Sequence, residues 1–149
     1  MPVLHSAYQQ AVSILGRDPI AAPAHIFIGG KNHSALVAAH AATSRIRVEG
    51  LFFLGYPLHK QDKPEEVRTD RLFRVVSPML FVQGTRDRHC DLGTLRRILA
   101  RVGAPWELHT VENADHSFRV PKATGRSAED VESEVMNSLA NWIRGRLGD

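Results

Sequence analysis

The chain has 149 residues, 43% of them hydrophobic and 23% charged, with a formal net charge of +3. That is enough apolar material for one core in one domain over residues 1–149, and too little charge for a disordered chain. The arginines are scattered without aromatic interleaving, and no apolar run approaches the ~20 residues of a membrane span, so neither a nucleic-acid nor a membrane partner is expected. No signal peptide is legible, and the single cysteine, Cys90, excludes an internal disulfide, so a cytoplasmic, reducing setting is expected.

Val3, Leu4, Ala7, Ala11, Val12, Ile14 and Leu15 recur at roughly helical spacing and predict a first helix over residues 3–16. Gly16 and the Asp18-Pro19 pair end it. Ile26-Phe27-Ile28 is a continuous apolar run, suited to a strand buried on both faces over about 25–30. Gly29 and Gly30 are expected to let the backbone turn tightly, into an alanine-rich helix over 33–44 packed close to that strand. Residues 48–54 read as a second strand, closed by Gly55-Tyr56-Pro57. A polar connection follows over 58–70, with a turn or short helix at Lys63-Pro64-Glu65. Residues 78–84 predict a third strand, and Asp91 or Thr94 a cap for a helix over 92–102 that Gly103 stops. Residues 106–111 alternate as a fourth strand. Ser127 then caps a long amphipathic helix carrying Val131, Val135, Leu139, Trp142, Ile143 and Leu147. Strands alternating with helices predict an α/β fold: a parallel sheet of about four strands flanked by helices.

In such sheets functional side chains sit on loops after the strand C-terminal ends. The first strand, turn and helix are the setting of the nucleophile elbow, G-x-S-x-G, which exposes a serine hydroxyl on a strained turn. Here the five positions read Gly30-Lys31-Asn32-His33-Ser34. Asparagine stands at the nucleophile position, and an amide has no hydroxyl or thiol for a base to activate. The loop after the third strand carries Asp87, and the loop after the fourth carries His116. Their order, nucleophile position then acid then histidine, is that of α/β-hydrolases. In that machinery the histidine takes the nucleophile's proton while the carboxylate holds its tautomer. Taken singly, Asp87 also fits a helix cap and His116 a turn. As a pair they are expected within about 2.6–3.2 Å of each other.

On these residues the chain resembles the C-terminal part of the α/β-hydrolase fold, in its dienelactone-hydrolase-like branch. Within that branch it is similar to the testis-expressed and NSL-complex-subunit-like hydrolase group. The matching words are Gly29-Gly30-Lys31, Gly50-Leu-Phe-Phe-Leu-Gly-Tyr-Pro-Leu-His59, Lys63-Pro64-Glu65, Arg68-Thr69, Pro78-Met-Leu-Phe-Val-Gln-Gly-Thr-Arg-Asp87 and Asp115-His-Ser-Phe-Arg-Val-Pro-Lys122. The resemblance implies that Asn32 replaces the family's serine, that Asp87 is the acid and His116 the base. It also implies that the backbone N–H of His33 is one oxyanion donor, the other lying on a strand-helix loop upstream of the first helix here.

A degenerate, truncated domain is therefore expected, impaired in catalysis and serving as a binding or scaffold domain. The alternative is an active ester or acyl hydrolase that uses another nucleophile or is completed by a missing N-terminal half, with a small-molecule ester as its partner. No cofactor is expected. The other histidines (His5, His25, His33, His40, His59, His89, His109) show no zinc-ligand spacing, so no metal is expected either. Lys31, His33 and His59 read as solvated surface residues, Cys90 as a small buried hydrophobe, and Ser34 as pointing away from Asn32. In the family's sheet the elbow strand is central. Here its apolar edge is expected to lie open, with the first helix unable to satisfy its backbone groups, and to pair with a second copy or another chain.

Overall fold

A computed structural model describes residues 2–19, 23–43 and 48–148, and the side chains of these from residue 6 onward. The shares of Val3 and Leu4 in the first helix's stripe, the side chain of His5, and a second helix reaching residue 44 lie outside the described residues. In chain order the elements are α1 (Pro2–Arg17), β1 (Phe27–Lys31), α2 (His33–Ala42), β2 (Gly50–Leu54), α3 (Asp70–Arg74), β3 (Met79–Gly84), α4 (Leu92–Leu99) and β4 (Trp106–Val111). A 3-10 turn (Lys122–Thr124) and α5 (Ala128–Leu147) complete the chain. Among the described residues the strands form one parallel sheet in the order β1-β2-β3-β4.

Strand alternation splits the core in two. Leu51 and Phe53 of β2, with Met79 and Phe81 of β3, face α2, α3 and α4, where half-buried Tyr8 and Val12 of α1 also pack. Phe52, Leu54, Leu80 and Val82 face the other way, against Val131, Val135, Leu139 and Trp142 of α5. Each Leu or Phe so buried contributes roughly 1.5–3 kcal/mol relative to exposure. No helix among the described residues is long and apolar enough to cross a membrane.

Gly29 and Gly30 lie inside β1 rather than making the turn. A Cβ on Gly29 would run into the Phe52 ring of the paired strand, and one on Gly30 into the Ser34 backbone of α2. Their work is close approach, and the sharp turn falls later, at Asn32. The buried alanines Ala35, Ala38, Ala39 and Ala42 extend the same economy of volume along α2.

A helix end, an added helix and one side chain depart from the sequence reading. Helix α4 is capped by Asp91, whose Oδ2 accepts the Thr94 N–H at 2.9 Å, but it closes at Leu99, ahead of Gly103. Its last turn tightens through Arg101 N–H to Ile98 O (2.9 Å) and Val102 N–H to Leu99 O (3.1 Å), which use up the terminal carbonyls. At Lys63-Pro64-Glu65 the chain makes the expected turn, closed by a Lys60–Lys63 bridge, but a short helix not expected from the sequence follows as α3, seated on buried Leu72. Leu147, placed on the apolar stripe of α5, is 36% exposed.

Strand β1 is an edge. Glu49 N–H bonds Ile26 O at 2.7 Å and Asn32 N–H bonds Leu54 O at 3.0 Å, so residues 26, 28, 30 and 32 address β2. Backbone groups alternate sides along a strand, which leaves those of residues 27, 29 and 31 facing outward. Helix α1 is not idle there, contrary to expectation: the Tyr8 hydroxyl donates to Gly29 O at 2.8 Å.

Candidate active site at the strand ends

Asn32 ends β1 and precedes the first residue of α2, with φ 55° and ψ −121°. A positive φ at a non-glycine residue is strained, and such strain persists only where neighbours over-determine it. Here the Asn32 N–H is held by Leu54 O, and the Asn32 carbonyl accepts the Ala35 N–H at 2.9 Å. The side chain does not cap the helix. Its Oδ1 is buried with no hydrogen-bond partner among the described residues. It lies 2.8 Å from where a Cβ on Gly55 would stand, and His116 Cε1 lies 3.7 Å from the same point. Gly55, itself at φ 78°, is therefore the gap through which the elbow and the histidine loop meet. His33, as the first helical residue, has an N–H with no carbonyl behind it in the helix.

Asp87 and His116 come together. His116 Nδ1 is 2.8 Å from Asp87 Oδ2, with the carboxylate fully buried and the imidazole about a fifth exposed. A carboxylate only accepts, so Nδ1–H donates and a neutral ring keeps Nε2 as its acceptor. The other Asp87 oxygen accepts the His89 N–H at 2.7 Å, and Gln83 Nε2 approaches Oδ2 at 3.5 Å. Buried Gln83 also accepts the Tyr56 N–H through its Oε1, tying the loop after β2 to the acid. The His89 ring lies against His116 at 4.4 Å between centroids. Burial, reinforced by the neighbouring His116, holds His89 below the usual imidazole range against the pull of Asp87.

A cleft of about 470 Å³ opens beside the pair, lined by His116, His89, Asn113, Arg86, Arg88 and Arg119 among others. Asn32 is not among its lining residues. Ser34 is exposed in the first turn of α2. Cys90 is buried, and that burial, with the Asp87 and Asp91 carboxylates nearby, pushes its thiol far above the ordinary range, so no thiolate is available. Lys31 and His33 are exposed as expected, but His59 is not. It is 3% exposed, with Nδ1 2.8 Å from Lys60 O and Nε2 accepting the Asp91 N–H at 3.0 Å, so it fastens the loop after β2 to the start of α4.

Gln83 and Gly55 are the site residues that spacing alone passes over. Each stands at a strand end inside a recognisable word, and a polar or glycine residue at such a place is the signal available in the sequence. Among the described residues no group of three or more His, Cys, Asp or Glu is gathered to hold a metal ion.

The arrangement offers a hydrogen-bonded carboxylate and imidazole, a backbone N–H at the start of α2, and an amide at the sharp turn between β1 and α2. Residues 1–144 match the sequence profile of an alpha/beta hydrolase domain. Among solved structures, the Pyrococcus furiosus esterase Pf2001 is similar at a TM-score of 0.68 and 14% identity, over 94% of this chain and 60% of that one. An alpha-beta serine hydrolase homologue from Coxiella burnetii aligns at 0.60 and 21% identity, over 87% of this chain and 56% of the other. A variant of Arabidopsis thaliana SOBER1 aligns at 0.59 and 16% identity, over 98% and 62%. The chain thus spans less than two thirds of the length of these structures, and the likeness to them is one of fold.

Proposed function

The chain belongs to the alpha/beta hydrolase family, and from that premise we propose that it is a degenerate member, impaired in catalysis and working as a binding or scaffold domain. The observation that carries this reading is Asn32, which keeps the strained elbow conformation beside His116 with an amide in place of a hydroxyl. A base paired as His116 is to Asp87 is set to remove a proton from an alcohol. An amide N–H is far too weak an acid to supply one, and its nitrogen is a poor nucleophile. In this reading Asp87 and His116 are the inherited acid and base, and the His33 N–H is an oxyanion donor with no carbonyl to serve.

The words at 50–59, 78–87 and 115–122 support placement in the dienelactone-hydrolase-like branch, near the testis-expressed and NSL-complex-subunit-like group. Residues 1–149 are taken as a single domain. A lone, buried thiol supports a cytoplasmic setting. The outward backbone groups of β1, next to α1 with Ile14 61% and Leu15 42% exposed, support pairing of this edge with a second copy or another chain.

A second reading, an active ester or acyl hydrolase that uses another nucleophile, is favoured by one observation: the Asp87–His116 pair is intact. Fluorophosphonate labelling of the unaltered chain, with short-chain esters as substrates, separates the two. The expected result is background labelling and background turnover. Stoichiometric labelling at Ser34 or any other serine overturns the impaired reading.

A further inference from the structure

A second cleft, of about 440 Å³, lies where α3 meets the C-terminal end of α2, and it shares no lining residue with the cleft beside His116. Three guanidinium groups line it, those of Arg68, Arg71 and Arg74. None of them is ion-paired with a carboxylate among the described residues. Asp70 is the acidic residue lining this cleft, which leaves two positive charges in excess (three Arg against one Asp). The phenol of Tyr56 does not make up the difference. Its hydroxyl is buried with no hydrogen-bond partner among the described residues. Burial pushes it far above the ordinary range, the charges of Arg71 and Arg68 offset that only in part, and it stays protonated.

Packed elements hold the arginines in place. Arg68 donates from Nη1 to Pro57 O at 3.2 Å and from its backbone N–H to Leu58 O at 2.8 Å. Arg71 and Arg74 belong to α3, which fully buried Leu72 seats on the core. The His40 carbonyl at the end of α2 is served by Thr43, whose Oγ1 donates to it at 2.7 Å, so it makes no call on the arginines. The Thr69 hydroxyl, also at the cleft, caps no helix N–H. Positive charge fixed in a concave site and left without a partner attracts an anion.

We propose that this cleft binds a phosphate monoester carried by a small polar molecule. Such a group carries about −1.5 to −2 charges at neutral pH, which matches the excess of two, and its oxygens suit the planar guanidinium forks. Val67 is the sole apolar side chain lining the cleft among the described residues, so the remainder of the ligand is polar. Helix α2 starts at the Asn32 turn and ends here, so the site is separate from the Asp87–His116 pair and stands whether or not the chain cleaves esters.

The test is an amide nuclear magnetic resonance titration of the full chain at low ionic strength with glucose 6-phosphate, with glucose and succinate as controls. Shifts are expected to centre on Val67 to Arg74 and on His40, and to be absent with glucose. The phosphate ester should bind at least ~tenfold more tightly than succinate, and weaken as salt screens the charges. The Arg71→Ala/Arg74→Ala double variant should lose at least ~tenfold in affinity, and the corresponding pair of lysine substitutions should keep part of it. Shifts centred on His116, an equal response to glucose, binding indifferent to salt and to both double variants, or no response at millimolar concentration overturns the proposal. So does binding to phosphatidic acid vesicles without binding to glucose 6-phosphate. The shift map and the ligand series use the unaltered chain, so a variant that misfolds does not leave the question open.

Discussion

Asn32 occupies a backbone conformation that costs on the order of 1–3 kcal/mol, and a serine placed there inherits it next to Gly55, which His116 also approaches. Asn32→Ser is therefore expected to acquire slow fluorophosphonate labelling, and adding His116→Ala should cut that rate by about 10²–10⁴. Ester turnover is a stricter test than labelling, because it also needs a held oxyanion, and a single oxyanion donor is worth about 10²–10³ in rate. Labelling no faster than in the unaltered chain would show that the elbow and the pair are out of line. A second residue-level test lies on the opposite face of the sheet, at Glu134. It bonds His109 Nε2 at 2.7 Å and Arg126 at 2.8 Å. Burial pushes its carboxyl up, but the hydrogen bonds from His109 and Arg126 outweigh that and hold it below the usual carboxylate range. A lowered folded-state pKa gives stability that is present above the unfolded pKa and lost as pH falls through the folded one. Glu134→Gln should thus cost about 1 kcal/mol at neutral pH, and urea melts should show the gap closing as the medium is acidified past the folded-state pKa.

Glycine placement decides how closely the elements pass. A Cβ on Gly84, the last residue of β3, would fall on the Ala114 carbonyl and within 2.8 Å of Asp115 O, in the loop that carries His116. Gly84→Ala is expected to cost about 3 kcal/mol by forcing that loop away from the one carrying Asp87. The reporter is the hydrogen-bonded His116 Nδ1 proton in a nuclear magnetic resonance spectrum, which should disappear. Gly103→Ala is the control, since nothing lies within 4 Å of its added Cβ, and its effect should stay within about 0.5 kcal/mol. The strands were legible from alternation and apolar runs, and Ser127 announced α5: its hydroxyl accepts the Asp130 N–H at 3.0 Å while Asp130 reaches back to the Ser127 N–H at 2.9 Å. The role of Gly29 and Gly30 was misread because a glycine pair suggests a turn as readily as a close approach. Only the position of Phe52 and of the α2 backbone distinguishes the two.

At the level of the whole molecule, two helical layers enclose the sheet, while among the described residues the outer side of β1 has no neighbouring strand and takes the Tyr8 bond. Light scattering of the purified chain is expected to show a dimer or larger species at micromolar concentration, with the amides of residues 27, 29 and 31 protected from exchange. A stable monomer whose β1 edge amides exchange rapidly would overturn edge pairing. The sequence by itself determined the order and kind of the main elements, since alternation, caps and apolar stripes are local signals. It also placed Asn32, Asp87 and His116 at three strand ends, because motif spacing and strand ends can both be read along the chain. The Asp87–His116 pair expected from those motifs closes at 2.8 Å across 29 residues, whereas tertiary structure alone decided that Gln83 and His59 are buried polar fasteners. It also decided that three arginines from two loops share one cleft with His116. Those facts depend on how closely remote segments approach once the core is packed, a distance that residue spacing does not encode.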